Sequence, residues 1–219
     1  MATSSPGAHD TSGMAPEAGP PPNHHAHFPH FAGIGGLLAA LTFTVGRGED
    51  ADLAAELTGL GPGDDVVDIG CGPGVAARRA AARGAASVVG VDPAAVMLRV
   101  ARLRRRSGVR YVEGAAEALP LPDDSATVAW SLATVHHWDD VDRGLAEVRR
   151  VLRPGGRFLV LERQVRPGAT GHASHGWTPE QAETFAERAE AAGLGAATVG
   201  RHGTRGGRRP VLSVLARVD

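Results

Sequence analysis

The stretch Asp65-Val66-Val67-Asp68-Ile69-Gly70-Cys71-Gly72-Pro73-Gly74 constrains this chain more than any other. Val66 to Ile69 reads as a short buried strand, and the glycine-rich turn behind it leads into an Ala/Arg helix that starts near Val75. Glycines at 70, 72 and 74 remove the Cβ atoms that would hold a ligand off the backbone, and they permit φ values that other residues resist. A small polar ligand is therefore expected against main-chain N–H groups at a helix N-terminus. A dinucleotide-binding turn would carry its third glycine at 75, where this chain has Val75.

Around that turn the chain alternates strands and helices. Ala51 to Leu60 is expected to be helical, with Leu53, Leu57 and Leu60 on its inward face, and Gly61-Pro62-Gly63 stops it. The helix from Val75 ends at Arg83 before a Gly84 cap. A second strand, Ser87 to Val91, runs into Asp92-Pro93, which puts an acid about twenty residues past the turn, where βαβ nucleotide sites hold a ribose-binding carboxylate. Helix 94–106 is expected to turn Val96, Val100 and Leu103 inward. Strands follow at 109–113 and 126–132, then a helix with Val141, Leu145, Val148 and Leu152 on one face. Arg153-Pro154-Gly155-Gly156 ends that helix and opens the strand Arg157 to Leu161. Thr178-Pro179-Glu180-Gln181 is a capping box for a helix reaching Gly193, and strands near 196–201 and 210–218 form a terminal hairpin. This order predicts a doubly wound α/β fold, a mostly parallel sheet with helices on both faces and its ligands at the carboxyl ends of the strands.

Residues 1–23 are rich in Pro, Gly, Ser and Ala and cannot bury enough surface to offset ordering, so a disordered tail is expected there. Residues 24–50 read as a lid or cap segment, and 51–219 as the single folded domain. Within the lid, Phe31 to Val45 could fold over a cofactor through the Gly46-Arg47-Gly48 joint. The cluster His24-His25-Ala26-His27-Phe28-Pro29-His30 has no nearby cysteine, and Pro29 breaks its register, so no metal site is expected.

A net charge of −1 creates no field that would draw the chain to nucleic acid or an anionic membrane. Arg104-Arg105-Arg106 complements a helix dipole and reads as solvated surface. The only cysteine is Cys71, which favours a reducing cytoplasm, and no Lys or Arg precedes Arg47 to form a targeting signal. Phe31 to Val45 is shorter than the roughly 18 residues of a membrane span. A soluble, cytoplasmic protein is expected.

Five pieces, DIGCGPG, Asp92, EALPLPDDS, VHHWDD and LRPGGRFLVLE, together resemble class I S-adenosylmethionine-dependent methyltransferases, in particular the methyltransferase type 11 group related to ubiquinone/menaquinone C-methyltransferases. The resemblance runs over about residues 55–218 and implies a seven-stranded sheet in the order 3-2-1-4-5-7-6 with strand seven antiparallel. It implies S-adenosyl-L-methionine as cofactor, with Gly70, Cys71, Gly72 and Gly74 facing its methionine part and Asp68 near its ammonium group. Arg47 would come near the cofactor's carboxylate, and Ser131 is counted among the cofactor-binding residues. Asp92 would accept from the ribose hydroxyls, with Pro93 and Met97 beside the adenine. Where many relatives have an adenine-binding Asp this chain has Ala115, which leaves the Ala116 backbone and Glu117 for that task.

Methyl transfer needs alignment, desolvation and, for some acceptors, removal of a proton. Histidine suits that last task, and His136, His137 and His175 are the candidate bases, with His172 in the same loop as His175. The atom methylated stays open between carbon, oxygen and nitrogen. An RNA methyltransferase of the same fold is disfavoured by the charge, an NAD-dependent oxidoreductase by Val75, and a cofactor-binding protein without turnover is the remaining alternative.

Overall fold

The computed structural model describes residues 47–104, 107–170, 174–203 and 210–219. Seven strands, β1 (Asp65–Ile69), β2 (Ser87–Asp92), β3 (Val109–Glu113), β4 (Ala126–Leu132), β5 (Leu152–Arg163), β6 (Ala197–His202) and β7 (Val211–Arg217), form one sheet in the order β3-β2-β1-β4-β5-β7-β6. The first five run parallel, and β7 lies antiparallel between β5 and β6. Order and hairpin are as expected from the sequence. The tail and residues 24–46 of the expected lid segment 24–50 lie outside the described residues, and the last four residues of that segment, 47–50, belong to the first helix of the folded unit.

Among the described residues five helices cover the sheet: α1 (Arg47–Thr58), α2 (Val75–Ala82), α3 (Ala95–Leu103), α4 (Val141–Val151) and α5 (Pro179–Ala191). One face packs Ile69, Ala129, Phe158 and Val214 against Leu145 and Val148 of α4 and Phe185 of α5. The other packs Val66, Val128, Trp130 and Leu159 against small residues of α1 and α2 and against Leu98 and Ala101 of α3. Local signals explain the helix ends. Thr178 and Gln181 form the reciprocal capping box of α5, Asp140 accepts from the Arg143 amide at the start of α4, and Gly84 follows α2 at φ 95°.

Three expectations change. The inward face of α1 consists of Ala51, Ala54, Ala55 and Thr58, because small side chains let the helix lie close on its neighbours; Leu53, Leu57 and Leu60 flank it, partly buried. On α3 the buried stripe is Met97, Leu98, Val100 and Ala101, one residue round from the expected one, and Leu103 at the helix end is 84% exposed. The Arg153-Pro154-Gly155-Gly156 stretch does not precede β5 but bulges within it. Leu152 pairs with Ala126 and Arg157 with Val128, while Gly155, at φ 76°, donates its N–H to Val218.

Candidate active site

At the carboxyl end of β1 the chain makes three left-handed steps, Gly70 at φ 71°, Gly72 at 51° and Gly74 at 74°. The glycines are not equivalent. A Cβ on Gly70 would sit 2.6 Å from Thr134 Oγ1, and one on Gly74 would strike the Tyr111 ring carbons at 2.7 Å, whereas one on Gly72 would meet nothing within 4 Å. Gly70 and Gly74 thus let Thr134 and Tyr111 pack against the turn, and Gly72 faces open space where a ligand can approach the backbone.

The amides of the turn are bound within the protein, contrary to the expectation that they await a ligand. Gly70 and Cys71 both donate to the Val91 carbonyl, at 2.8 and 3.0 Å, and Gly74 donates to Cys71 O at 2.9 Å. Gly72 N–H donates to Asp92 Oδ2 at 2.8 Å, while Asp92 Oδ1 accepts from Ala94 N–H at 2.9 Å. Asp92 therefore clamps the turn to the start of α3. A carboxylate offers about four lone-pair positions, and these two amides take one on each oxygen. Asp68 is buried beneath the turn beside Cys71. Burial first, then the charges of Asp68 and Asp92, push the Cys71 thiol well above its usual range, so it stays protonated; its Sγ packs under the turn against Gly90. Cys71 contributes to the site through its backbone.

The second half of the site follows β4. Ala133 takes a left-handed φ of 55°, unusual for a residue with a Cβ, and its N–H donates to Leu161 O at 2.7 Å. Ser131 Oγ and Thr134 Oγ1 lie 2.5 Å apart, and Thr134 donates on to Ile69 O. That chain ties the end of β4 to the glycine turn and makes Ser131 a brace of the site, buried to 0% exposure. The next residues, Val135–His137, form a single 3-10 turn that collects three imidazoles. The His136 and His137 rings lie 4.1 Å apart, and His175 lies 5.6 and 6.2 Å from them. Of the expected residues, His172 lies outside the described residues, as does the side chain of Arg47, the first residue of α1.

The sequence did not single out Glu162. Its carboxylate is fully buried at the end of β5, with both oxygens 3.1 Å from His136 Nδ1, and Oε1 also accepts from Val135 N–H. An acid in the otherwise apolar run FLVLE, at the ligand edge of a buried strand, was the available signal. Glu117 differs in placement from the adenine role expected of it. Its carboxylate accepts from the Asp139 and Asp140 amides at 2.8 and 3.3 Å, and its carbonyl accepts from Arg143 Nε, bracing the loop before α4. Met97 and Ala116 are buried, Met97 beside Val100, and Pro93 is exposed at the edge. Among the described residues no three His, Cys, Asp or Glu side chains are arranged to hold a metal ion, and no helix is long and apolar enough to cross a membrane.

Residues 67–160 match the family profile described as a methyltransferase domain. Curated relatives include a malonyl-acyl-carrier-protein O-methyltransferase of Serratia marcescens, 36% identical over 124 residues, covering 55% of this chain and 48% of that one. A ubiquinone/menaquinone biosynthesis C-methyltransferase of Rubrivivax gelatinosus is 42% identical over 101 residues, covering 46% of this chain and 39% of that one. The chain spans about half the length, or less, of the curated relatives it matches. A SAM-dependent methyltransferase of Aquifex aeolicus has the same fold with a TM-score of 0.69 at 18% identity, covering 83% of this chain and 98% of that one. The cyclase SpnF superimposes with a TM-score of 0.59 at 29% identity, covering 69% of this chain and 58% of that one.

Proposed function

We propose, on the premise of the methyltransferase-family domain at residues 67–160, that this chain uses S-adenosyl-L-methionine to methylate a small-molecule acceptor. The observation that carries this reading is the juxtaposition at one sheet edge of a turn open at Gly72, the Asp92 clamp and the imidazole cluster, joined through Thr134. The residues fit the cofactor. Gly72 gives the methionine part access to the backbone, and Asp92, a carboxylate at the end of β2 beside that turn, is placed to accept from the ribose hydroxyls. Buried Asp68 supplies a negative charge for the ammonium group. Met97 and the Ala116 backbone border the adenine; Glu117, engaged with the loop before α4, shapes that wall from behind. When bound, S-adenosylmethionine supplies an electrophilic methyl carbon on a sulfonium.

The chain's own work is then to orient the acceptor, exclude water and, where the acceptor must lose a proton, hold that proton at an imidazole. Residues 24–50 are proposed to complete the pocket as a lid with Arg47 at its joint, and the surroundings are proposed to be the cytoplasm, with no role for nucleic acid or membrane. Relatives named for methylation at oxygen and at carbon leave the atom to be determined. A second reading comes from the likeness to SpnF, a protein named as a cyclase: the same frame would then bind cofactor and acceptor without transferring methyl. Incubation with isotopically methyl-labelled cofactor and a fractionated small-molecule extract separates the two. Label in a small molecule, with equimolar demethylated cofactor, supports transfer. Binding of the cofactor with no label in any fraction would favour the second reading.

A further inference from the structure

We infer that Glu162 is a positioning residue that fixes the tautomer of His136 and so makes its Nε2 the proton acceptor for an acidic hydroxyl, phenolic or enolic, on the methyl acceptor. This rests on the methyltransferase reading for the identity of the second reactant, and on geometry alone for the His136–Glu162 pair. Both Glu162 oxygens lie 3.1 Å from His136 Nδ1. A carboxylate can only accept, so the pair places the imidazole hydrogen on Nδ1 and the basic lone pair on Nε2. The Val135 amide, donating to Oε1 at 3.1 Å, holds the carboxylate in place, and the carboxylate in turn is fully buried.

Burying an acid completely is costly unless it is paired. A fold that needed only packing at the end of β5 would be served by another apolar residue like those that precede it, Phe158 to Leu161. The position also matters. His136 lies two residues beyond Thr134, whose hydroxyl touches the glycine turn, so the pair stands beside the edge where the methyl group would be presented.

The step is a proton transfer. The O–H bonding pair stays on the acceptor as the proton joins the Nε2 lone pair, and the resulting imidazolium rests against the Glu162 carboxylate. Acidic hydroxyls are the acceptors such a base serves best: their proton affinity lies nearest that of imidazole, so the transfer is close to balanced, whereas a neutral amine attacks through a lone pair it already has.

Nitrogen NMR of ¹⁵N-histidine-labelled full-length protein reads the tautomer without cofactor or acceptor. The expected result is His136 protonated on Nδ1 and bare on Nε2 at neutral pH, loss of that single tautomer in Glu162→Gln, and its return in Glu162→Asp, with thermal unfolding checking that each variant is folded. His136 protonated on Nε2, or unchanged in a folded Glu162→Gln, would overturn the positioning role. Should Glu162→Gln not fold, Glu162→Asp and the wild-type tautomer still decide it.

Release of demethylated cofactor is then followed with catechol and dimedone as hydroxyl probes and benzylamine as the amine control. Turnover of a hydroxyl probe, with kcat falling at least about tenfold in Glu162→Gln and the KM for cofactor unchanged, supports the assignment. Turnover of benzylamine alone, equal turnover in the variant, or no release with any probe while cofactor binds overturns the acceptor class. Absence of cofactor binding beside an intact tautomer would instead sink the methyltransferase reading and leave the positioning role standing.

Discussion

Replacing Asp92 separates a brace from a ligand contact, because the carboxylate is expected to be both. In the structure it accepts from the Gly72 and Ala94 amides at 2.8 and 2.9 Å and is 8% exposed. Hydrogen bonds to a charged group contribute about 1.5 to 3 kcal/mol each. Truncation to Ala removes two of them but opens room for water at an edge position, so we expect Asp92→Ala to lose about 2 to 4 kcal/mol of stability. That corresponds to a fall in Tm of about 5 to 15 °C for a chain of this size. Asp92→Asn keeps one acceptor oxygen and turns an NH2 group towards the other amide, so its loss should be about half as large.

Both variants should also lose about 1 to 3 kcal/mol of S-adenosylmethionine affinity, at least about fivefold, through the ribose hydroxyls. Urea unfolding followed by tryptophan fluorescence gives the first quantity, and calorimetric titration of the folded variant gives the second. Stability that falls with cofactor affinity unchanged would make Asp92 a brace only. Unchanged stability would refute the clamp on which the description of the turn depends.

The glycines of the turn should separate in the same two measurements. Gly72→Ala meets no neighbour, costs only the left-handed penalty of about 1 to 2 kcal/mol, and should fold while losing cofactor affinity; normal affinity would show that the ligand does not pass there. Gly74→Ala, driven into Tyr111, should be distinctly less stable than Gly72→Ala. Tyr111 is the only tyrosine. Burial first raises its phenol, Arg78 works against that, and Cys71 and Asp68 add to it, for a value of about 12. A phenol held neutral in the fold contributes stability that is present below the unfolded value near 10 and is lost as pH rises from there through about 12. Phenolate absorbance should therefore appear with unfolding, and a titration near pH 10 in the folded protein would contradict the packing under the turn. Removing residues 1–22 should leave cofactor affinity unchanged, whereas removing 1–45 should weaken cofactor binding and abolish turnover; full turnover of the longer truncation would end the lid proposal.

The frame was legible because its signals are local. Alternating elements, the glycine turn and Asp92 twenty residues on fixed the parallel sheet and its ligand edge, and Thr178 with Gln181 announced α5 by its cap. What was not legible depends on partners distant in the chain. The Gly72 amide looks available until Asp92 takes it, and Glu117 looks like a ligand contact until the loop before α4 folds onto it. Glu162 becomes a candidate only once β4 and β5 lie side by side and bring His136 against it. Leucine periodicity misled in α1, where alanines make the close contact and the leucines serve as flanks.

The central claim, that the turn at Gly70–Gly74 belongs to a sulfonium nucleoside and not to a nicotinamide dinucleotide, is tested most directly by isothermal calorimetry of the full-length protein. Titrations with S-adenosylmethionine, its demethylated product and NADH are compared under one set of conditions. Saturable binding of the first two with no heat from NADH is the predicted result. Saturable binding of NADH with none of S-adenosylmethionine or its product would contradict it.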